Sequence, residues 1–372
     1  MTAFDAIVVG AGPAGSAAAG MLAARGRRVL VLEKERFPRR KVCGEFLSGS
    51  AVERLERLGV RQDVEARAER IREGEIYPPD GRPVAFRLPA PGLGISRLVL
   101  DDLLARRAGD LGAEVRFGAR VRELTPAAPG FRIRFSEGTR DEEIEARGVV
   151  GAWGRWDALD RALSRGFTAR RGRFFAWSRS YAPSSELAGR VRVYLFRGGY
   201  CGLSRVEGGA VNLAGVVAES LRARLPPGWD AVLEHARRSN AALDRDLAAL
   251  APDSDFLGAG PVYFTGKPPA EGGILMVGDA AGVLDPFCGE GQACALASGI
   301  LAAQTLERGL SGEIPLDSAA AVYASAWREQ FRGRFAWSAA FRRLMLHPRL
   351  AAAAAPWAGG RLTRLALERL RT

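Results

Sequence analysis

The 372-residue chain is 47% hydrophobic and 8% aromatic, a composition that excludes a disordered protein and allows a large buried core. Its net charge of +12 is almost all arginine spread through every segment, without a zinc-finger, RNP-like or basic-zipper pattern, so no nucleic-acid partner is predicted. Four cysteines without CxxC spacing and only two histidines argue against a metal site, a disulfide framework and a histidine-based nucleophilic site.

The N-terminus gives no sign of a signal peptide, because residues 1–5 are short and lead directly into a strand. The longest late apolar run, residues 350–358, is too short to span a bilayer and contains Pro356. We therefore expect a cytoplasmic protein with reduced thiols. The sequence carries no signal for an oligomeric state.

The first predicted unit is a strand, a glycine-rich turn, a helix and a second strand that ends near residue 32. Gly10, Gly12 and Gly15 have the G-x-G-x-x-G spacing. Gly10 permits the tight turn, Gly12 lets the backbone approach a pyrophosphate, and Gly15 lets the helix pack closely on the sheet. Glu33 follows the second strand, where a carboxylate can accept hydrogen bonds from a ribose 2′-OH.

A glycine triplet alone is weak evidence, but the strand before it, the helix after it and the acid about 20 residues on predict a dinucleotide site. The helix N-terminus would present free N–H groups to the phosphates. This motif leaves FAD and NAD open. The predicted site comprises Gly10, Gly12, Pro13, Ala14, Gly15 and Glu33, with Lys34 next to it.

The middle of the chain changes to alternating apolar and polar residues, with glycine turns between several of the runs. This pattern predicts an antiparallel sheet made of hairpins. A helical stretch follows at about residues 219–250, with a break at residues 226–228. The predicted strands are residues 84–88, 132–135, 174–181, 191–196, 200–206 and 210–217.

A second glycine-rich segment favours FAD over NAD. Residues 274–277 are predicted to form a strand that ends at Gly278 and Asp279, and a helix with a glycine-rich start begins at Gly289. The aspartate can accept hydrogen bonds from a polyol, and the helix start can present N–H groups to carbonyl oxygens. A flavin offers both groups. A purely structural strand–turn–helix is the alternative for this segment taken by itself.

The tail from residue 316 is predicted to be helical. In its last segment Leu362, Leu365, Ala366 and Leu370 share one helical face, with arginines off that face. A cationic amphipathic helix can rest on an anionic membrane, which would make the protein peripheral to it. The alternative that we favour is a helix packed on its own protein.

Together these motifs resemble those of the FAD-dependent oxidoreductases that include geranylgeranyl reductases, aromatic hydroxylases and flavin halogenases. The resemblance covers residues 1–305 in the expected order. Its landmarks are the first glycine motif with Glu33, the helix start Arg97-Leu98-x-Leu100-Asp101, and Gly278-Asp279 followed by Pro286 and Gly289-Glu290-Gly291.

The resemblance implies an α/β fold with a Rossmann-like, glutathione-reductase-type FAD-binding domain. An inserted antiparallel β-sheet domain would hold the substrate, and a helical region would end the chain. The implied boundaries are residues 1–72, 97–165 and 262–310 for the FAD-binding domain, 73–96 and 166–261 for the substrate domain, and 311–372 for the C-terminal helices.

The resemblance also places residues 37–44 beside the flavin, with Arg40 or Lys41 supplying positive charge. No histidine or CxxC partner activates Cys43, so we interpret it as a wall residue and not as a nucleophile. The implied FAD contacts are Gly10, Gly12, Pro13, Ala14, Gly15, Glu33, Lys34, Arg40, Cys43, Gly44, Arg97, Gly278, Asp279, Pro286, Gly289, Glu290 and Gly291. The implied substrate pocket is Phe46, Trp177, Tyr181, Tyr194, Tyr200 and Phe287, although core packing is the alternative for each of the central aromatics.

The chain departs from the patterns of all three groups. Aromatic hydroxylases show an ADG turn where this chain has Gly151-Ala152-Trp153-Gly154-Arg155. Prenyl reductases carry a Y-x-W-x-F-P strand, whereas here Tyr200 is followed by Cys201-Gly202-Leu203-Ser204-Arg205. The W-x-W-x-I-P segment of flavin halogenases is absent from the sequence.

We therefore predict an FAD-dependent oxidoreductase that acts on an apolar small molecule and takes electrons from NAD(P)H. A monooxygenase of an aromatic or polyketide-like substrate in secondary metabolism is favoured, because that chemistry needs little beyond a dry, orienting cavity. The alternatives are a geranylgeranyl-reductase-like enzyme that reduces an isoprenoid or lipid alkene, and a non-catalytic flavin-binding protein. The sequence shows no evident catalytic acid or base.

Overall fold

The computed structural model describes residues 4–79, 83–170 and 172–345. The amphipathic segment at residues 361–371 and His347 lie outside them. The strands are β1 (Phe4–Val9), β2 (Val29–Glu33), β3 (Phe46–Leu47), β4 (Glu69–Tyr77), β5 (Val84–Gly94), β6 (Glu114–Phe117), β7 (Ala119–Ala127), β8 (Gly130–Glu137), β9 (Arg140–Gly151), β10 (Phe174–Tyr181), β11 (Arg190–Phe196), β12 (Gly199–Arg205), β13 (Val211–Ala218), β14 (Leu257–Val262), β15 (Ala270–Glu271) and β16 (Ile274–Met276). The helices are α1 (Pro13–Ala23), α2 (Gly49–Arg57), α3 (Arg61–Glu65), α4 (Arg97–Asp110), α5 (Ala158–Ala162), α6 (Glu219–Arg222), α7 (Trp229–Ser239), α8 (Ala241–Ala248), α9 (Gly291–Leu310) and α10 (Ala319–Met345).

The first sheet has the order β15-β16-β9-β1-β2-β6, and its central strands β16, β9, β1, β2 and β6 are parallel. Every residue of β2 is buried, as expected for a parallel strand covered on both faces. Helix α1 connects β1 to β2 and packs against α9, where a side chain at Gly299 would lie 2.2 Å from the carbonyl oxygen of Ala14. The Rossmann-like α/β fold is thus confirmed.

The second sheet has the order β14-β10-β13-β12-β11-β4-β5-β3, and its neighbours are antiparallel except for the parallel pair β11 and β4. This sheet confirms the predicted antiparallel unit. Helix α10 confirms the predicted helical region after residue 316 within the described part of the chain. The alternation pattern alone grouped residues 132–135 with this sheet, but they belong to β8, which pairs with β7 and β9 in the first sheet. Alternating apolar and polar residues indicate a half-exposed hairpin, but they do not indicate the sheet to which the hairpin belongs.

Helices α7 and α8 cover one face of the second sheet. Val232 of α7 and Leu243 of α8 are fully buried in a core with Leu213 of β13. The opposite face looks towards the first sheet. None of the helices within the described ranges is long and apolar enough to cross a membrane. In the same ranges no group of three or more His, Cys, Asp and Glu residues could hold a metal ion.

A buried ion pair fixes the loop after β9. Arg165 and Asp160 are both fully buried, and Arg165 Nη1 lies 2.9 Å from Asp160 Oδ1. Asp160 also accepts hydrogen bonds from the indole Nε1 of Trp153 at 3.0 Å and from the backbone N–H of Asp157 at 2.9 Å. Arg165 in turn donates to the carbonyl oxygen of Pro268 at 2.7 Å. The pair therefore ties the loop to the segment that leads into β15.

Replacing Arg165 with methionine should lower the free energy of unfolding by about 3–5 kcal/mol, because the carboxylate of Asp160 would remain buried without its partner. Denaturant titration of the FAD-free protein measures this loss. Arg134→Met is the matched control, since Arg134 pairs with Glu123 on the surface and such a pair contributes about 0–1 kcal/mol. Equal losses in the two variants would contradict the assignment.

Candidate functional site

A cavity of about 1180 Å³ lies between the carboxyl ends of the parallel strands and the open face of the second sheet. Ligand pockets commonly measure roughly 300–1,000 Å³, so this cavity is large enough for a dinucleotide together with a substrate. Its walls come from the turn after β1, the end of β2, residues 39–46, the loop after β9, residues 277–295 and the second sheet.

The three glycines of the first motif have different surroundings. Gly10 has φ +107°, and a Cβ there would lie 2.5 Å from the carbonyl oxygen of Ala152. A Cβ at Gly15 would lie 1.9 Å from the carbonyl oxygen of Gly10, so the fold itself requires both glycines. Gly12 borders the cavity, and a Cβ there would meet nothing within 4 Å. The open space at Gly12 is a cradle that a side chain would fill.

The N-terminus of α1 opens onto this cradle. Gly12 is its N-cap residue, and no side chain caps the first turn, so its N–H groups remain available to a phosphate. Glu33 is buried at the cavity edge, where Oε2 accepts from Ala11 N–H at 2.8 Å and Oε1 from Glu35 N–H at 3.0 Å. Lys34 borders the cavity and pairs with Asp157 at 2.6 Å. These features fit the pyrophosphate and ribose of FAD.

Residues 277–295 form the next wall. Gly278, Asp279, Pro286, Gly289 and Gly291 border the cavity, as the sequence predicts. The side chain of Asp279 is 43% exposed, and Arg155 Nε lies 3.8 Å from its Oδ2. A ligand in the cavity could therefore use the Asp279 carboxylate.

The side chains of two residues near this wall, Glu290 and Lys267, form hydrogen bonds within the protein and do not border the cavity. Glu290 is buried and does not border the cavity; its Oε2 accepts from Ser50 Oγ at 2.7 Å, and burial raises the pKa of its carboxyl. Lys267 donates from Nζ to the carbonyl oxygens of Asp279 at 2.8 Å and Arg155 at 2.7 Å. Burial lowers the pKa of Lys267 to about 8. Lys267 thus joins two walls of the cavity.

The segment around Cys43 also lies at the cavity. Arg40, Cys43, Gly44 and Arg97 all border it. The thiol of Cys43 accepts from the backbone N–H of Glu45 at 3.3 Å. The guanidinium of Arg97 forms two bonds to Asp101, at 2.6 and 2.7 Å, which fix it in place.

The predicted substrate residues divide into two groups. Phe46, Tyr200 and Phe287 border the cavity, and the hydroxyl of Tyr200 donates to Asp285 Oδ1 at 2.6 Å. Tyr181 and Tyr194 do not: both are buried in the core under α7 and α8.

Trp177 belongs to the same core as Tyr181 and Tyr194. Its position on β10 borders the cavity, but the ring is fully buried, packs over Gly215 and lies 5.9 Å from the ring of Phe256. The prediction of a substrate contact by these three aromatics is therefore corrected. Successive residues of a strand face opposite sides, so an aromatic side chain one position out of phase lies in the other layer.

Sequence reasoning missed several cavity residues. The apolar wall of the second sheet includes Ala176, Val193, Gly202, Ala214 and Val216, which pair across adjacent strands in register with Tyr200. Counting in steps of two from Tyr200 finds Gly202 on the same strand, but small residues in a strand carry no functional signal of their own.

Two further polar residues border the cavity without having been predicted. Glu45 follows Gly44, and Gln292 lies in the first turn of α9. The Oε1 atom of Gln292 is buried and has no hydrogen-bond partner in the described part of the chain. Such an unpaired acceptor fits a ligand that donates a hydrogen bond to it.

Comparisons with known proteins agree with this geometry. Residues 3–178 match the model of a FAD binding domain family. Menaquinone reductase of Mycolicibacterium smegmatis is 30% identical over 353 residues, which cover 88% of this chain and 80% of that protein. Digeranylgeranylglycerophospholipid reductase 2 of Methanopyrus kandleri is 29% identical over 356 residues, which cover 90% and 85%.

Solved structures show the same fold. A geranylgeranyl bacteriochlorophyll reductase-like protein of Thermoplasma acidophilum superposes with a TM-score of 0.82 at 21% identity, covering 100% of this chain and 95% of that one. PqsL, a probable FAD-dependent monooxygenase from Pseudomonas aeruginosa, superposes with a TM-score of 0.77 at 20% identity, covering 95% and 99%. At these identities the likeness shows the fold alone.

Replacing Gly12 with leucine should abolish FAD binding and leave the FAD-free fold intact, because a Cβ there has no protein atom within 4 Å and the side chain would extend into the cradle. Gly15→Ala is the matched comparison: its Cβ would collide with the carbonyl oxygen of Gly10, so the FAD-free protein itself should unfold at lower temperature. Flavin absorbance of the purified variants and thermal unfolding measure the two effects. Full FAD occupancy in Gly12→Leu would show that the cofactor lies elsewhere.

Replacing Asp279 with alanine should weaken FAD binding by about 1.5–3 kcal/mol through loss of a charge-assisted hydrogen bond to the cofactor. The dissociation constant, measured by fluorescence titration of the FAD-free protein, should rise roughly 10- to 150-fold. A dissociation constant equal to that of the wild type would remove Asp279 from the set of FAD contacts.

Proposed function

The chain belongs to the family of FAD-dependent oxidoreductases that includes geranylgeranyl reductases, aromatic hydroxylases and flavin halogenases, and we propose that it reduces carbon–carbon double bonds of an isoprenoid substrate. The relatives that match over most of this chain are by name reductases of menaquinone and of digeranylgeranylglycerophospholipid. Both compounds carry isoprenoid chains. The sequence motifs alone favour a monooxygenase, whereas the apolar wall of the cavity supports the reductase alternative.

The observation that carries the proposal is the chemistry of the cavity face of the second sheet. Among the described residues of these strands that border the cavity on this face, only Tyr200 and Ser204 offer polar side chains. Both hydroxyls are engaged, since Tyr200 donates to Asp285 and Ser204 donates to the carbonyl oxygen of Gly44 at 3.1 Å. The apolar residues include Phe46, Ile76, Phe86, Leu88, Ala176, Val191, Val193, Ala214 and Val216.

This wall suits a hydrocarbon chain. The hydroxyl and carbonyl groups of a phenolic or polyketide-like substrate lose hydrogen bonds to water on entering the cavity and would need partners on the wall to replace them. An isoprenoid chain needs none, because burial of its apolar surface stabilises the complex at roughly 25 cal/mol per Å².

FAD, when bound, supplies the hydride for such a reduction. We propose that the N-terminus of α1 and Gly12 hold its pyrophosphate, that Glu33 accepts from its ribose and that Asp279 accepts from its ribityl chain. The segment from Pro286 to Gly291 would lie against the ring. The electrons would come from NAD(P)H.

A monooxygenase is the second candidate, and one observation favours it. Where prenyl reductases carry a tryptophan two positions after the tyrosine, this chain has Gly202, which borders the cavity. The missing ring leaves room for a substrate bulkier than an extended chain. The likeness to PqsL supports this candidate only through the fold.

The two candidates differ in their use of oxygen. With NAD(P)H, FAD and menaquinone in detergent under anaerobic conditions, the purified protein should yield a product that mass spectrometry still finds heavier by two hydrogens after any quinol has been reoxidised to the quinone in air. A product that forms only in air and carries one atom of ¹⁸O from ¹⁸O₂ would instead establish the monooxygenase. Digeranylgeranylglycerophospholipid is the second substrate to try before the reductase proposal is abandoned.

Replacing Ala214 with phenylalanine should narrow the substrate space and raise KM for the alkene at least about tenfold, because the ring would project from the sheet into the cavity. FAD occupancy should stay at the wild-type level. Ala188→Phe is the matched control, since Ala188 is exposed in the turn before β11. An equal KM in the two variants would place the substrate away from this face.

A further inference from the structure

Glu45 combines an unusual backbone conformation with a buried carboxyl at the cavity wall. Its φ of +55° lies in the left-handed region, which side chains other than glycine rarely adopt. The residue is 8% exposed and borders the cavity. Such conformations persist only where the surroundings fix them, and they cluster at functional sites.

The surroundings of Glu45 do fix its backbone. Asn212 Nδ2 donates to the carbonyl oxygen of Cys43 at 2.9 Å, and Ser204 Oγ donates to that of Gly44 at 3.1 Å. The backbone N–H of Ile95 donates to the carbonyl oxygen of Glu45 itself at 3.0 Å. Strands β12 and β13 and the junction of β5 with α4 therefore hold the segment 43–45 in one conformation.

The carboxyl of Glu45 is only half paired. Its Oε1 accepts from the backbone N–H of Arg97 at 3.0 Å. Its Oε2 has no hydrogen-bond partner among the residues that the structure describes. One oxygen is thus anchored at the start of α4, and the other is free to meet a ligand.

The charges that face Glu45 do not neutralise it. The guanidinium of Arg97 is bound twice by Asp101, and Lys41 Nζ donates to the same carboxylate at 2.6 Å. Arg40 donates to Ser180 Oγ at 3.2 Å, and its charge lowers the pKa of Glu45.

A second carboxylate, Glu207, acts on Glu45 through its charge, and it accepts hydrogen bonds from the backbone N–H of Ser96 at 2.8 Å and from the Ser96 hydroxyl. Burial and the charge of Glu207 raise the pKa of Glu45 to about 7, against the opposing effects of Arg97 and Arg40. An acid with a pKa near the working pH is well suited to proton transfer.

Other acids at the cavity are less suited to this task. Glu33 uses both oxygens to accept backbone N–H groups. The hydroxyl of Tyr200 donates a hydrogen bond to Asp285, and burial raises the pKa of that hydroxyl. Burial also raises the pKa of the Cys288 thiol to about 12. Of these four residues, only Glu45 both borders the cavity and has a carboxyl oxygen without a hydrogen-bond partner among the described residues.

We propose that Glu45 donates the proton that the substrate double bond receives. This inference rests on the proposed reduction, in which one alkene carbon takes a hydride from reduced FAD and the other takes a proton. The O–H bond at Oε2 of Glu45 breaks as the π electron pair forms a C–H bond to its proton, and the hydride, which would leave reduced FAD with the electron pair of its N–H bond, forms the second C–H bond. The carboxylate then regains a proton from solvent water, so atoms and charges balance.

The first test replaces Glu45 with glutamine, which still accepts from Arg97 N–H but has no acidic proton. FAD occupancy, the unfolding temperature and the rate of flavin reduction by NAD(P)H should equal those of the wild type. The rate of anaerobic flavin reoxidation by digeranylgeranylglycerophospholipid, which has no quinone ring that could oxidise the flavin directly, should fall roughly 100- to 10,000-fold. Glu53→Gln is the matched control, because Glu53 is exposed on α2.

The second test needs no turnover. Infrared difference spectra of the FAD-free protein should show a protonated carboxyl that disappears as the pH rises through about 7 and that is missing in Glu45→Gln. In wild-type turnover the alkene half-reaction should slow over the same pH range. Glu207→Gln should move both midpoints to lower pH, because the negative charge beside Glu45 is gone.

The outcomes separate the inference from the proposed function. Failure of the wild type to reduce any alkene probe would sink the reduction itself. Reduction by the wild type with an undiminished rate in Glu45→Gln would overturn the role of Glu45. If Glu45→Gln loses FAD or unfolds, the midpoints in Glu207→Gln decide, and midpoints that do not move would equally overturn it.

Discussion

The arrangement of the protein depends on the two-sided burial of the second sheet. Because successive side chains of a strand face opposite sides, each strand must supply one layer to the helices α7 and α8 and another to the cavity. The helix layer takes the large rings, such as Trp177, Tyr194 and Phe196, which are fully buried. The cavity layer is made mostly of small and branched residues, such as Ala214 and Val216. The sheet is thus anchored by one face and shaped as a binding surface by the other.

The same sheet positions parts of the site that do not belong to it. Asn212 and Ser204 hold the carbonyl oxygens of Cys43 and Gly44, and Tyr200 reaches Asp285 at the start of the segment leading to α9. On the far side of the cavity, Lys267 joins the loop after β9 to the end of β16. The cavity walls are therefore linked by hydrogen bonds between distant parts of the chain, which pre-organises the site before a ligand enters.

The glycine motifs predicted from the sequence lie where the fold needs them, because a tight turn and a close helix contact leave few alternatives at Gly10 and Gly15. The second motif at Gly278 and Asp279 also borders the cavity as predicted. The central aromatics were misplaced because a one-residue shift in the pattern exchanges the two faces of a strand. Glu45 was missed for another reason: its buried carboxyl depends on Arg97 and Glu207, which are far from it in sequence. That the residues predicted from the sequence as FAD and substrate contacts bind these ligands stays a prediction.

A hydroxylase and an alkene reductase of this family can share the fold and the flavin, so neither of these features separates the two reactions. They differ in what the protein must add. Oxygen transfer asks chiefly for exclusion of water, whereas alkene reduction also asks for a proton held next to the substrate. In this chain Asp101 pairs with both Arg97 and Lys41, and Arg97 is one of the two cations whose charge lowers the pKa of Glu45. The ion pairs of Asp101 behind the cavity wall thus help Glu45 to keep a proton near neutral pH. The proposed reduction needs such a proton donor next to the substrate, and a hydroxylation does not.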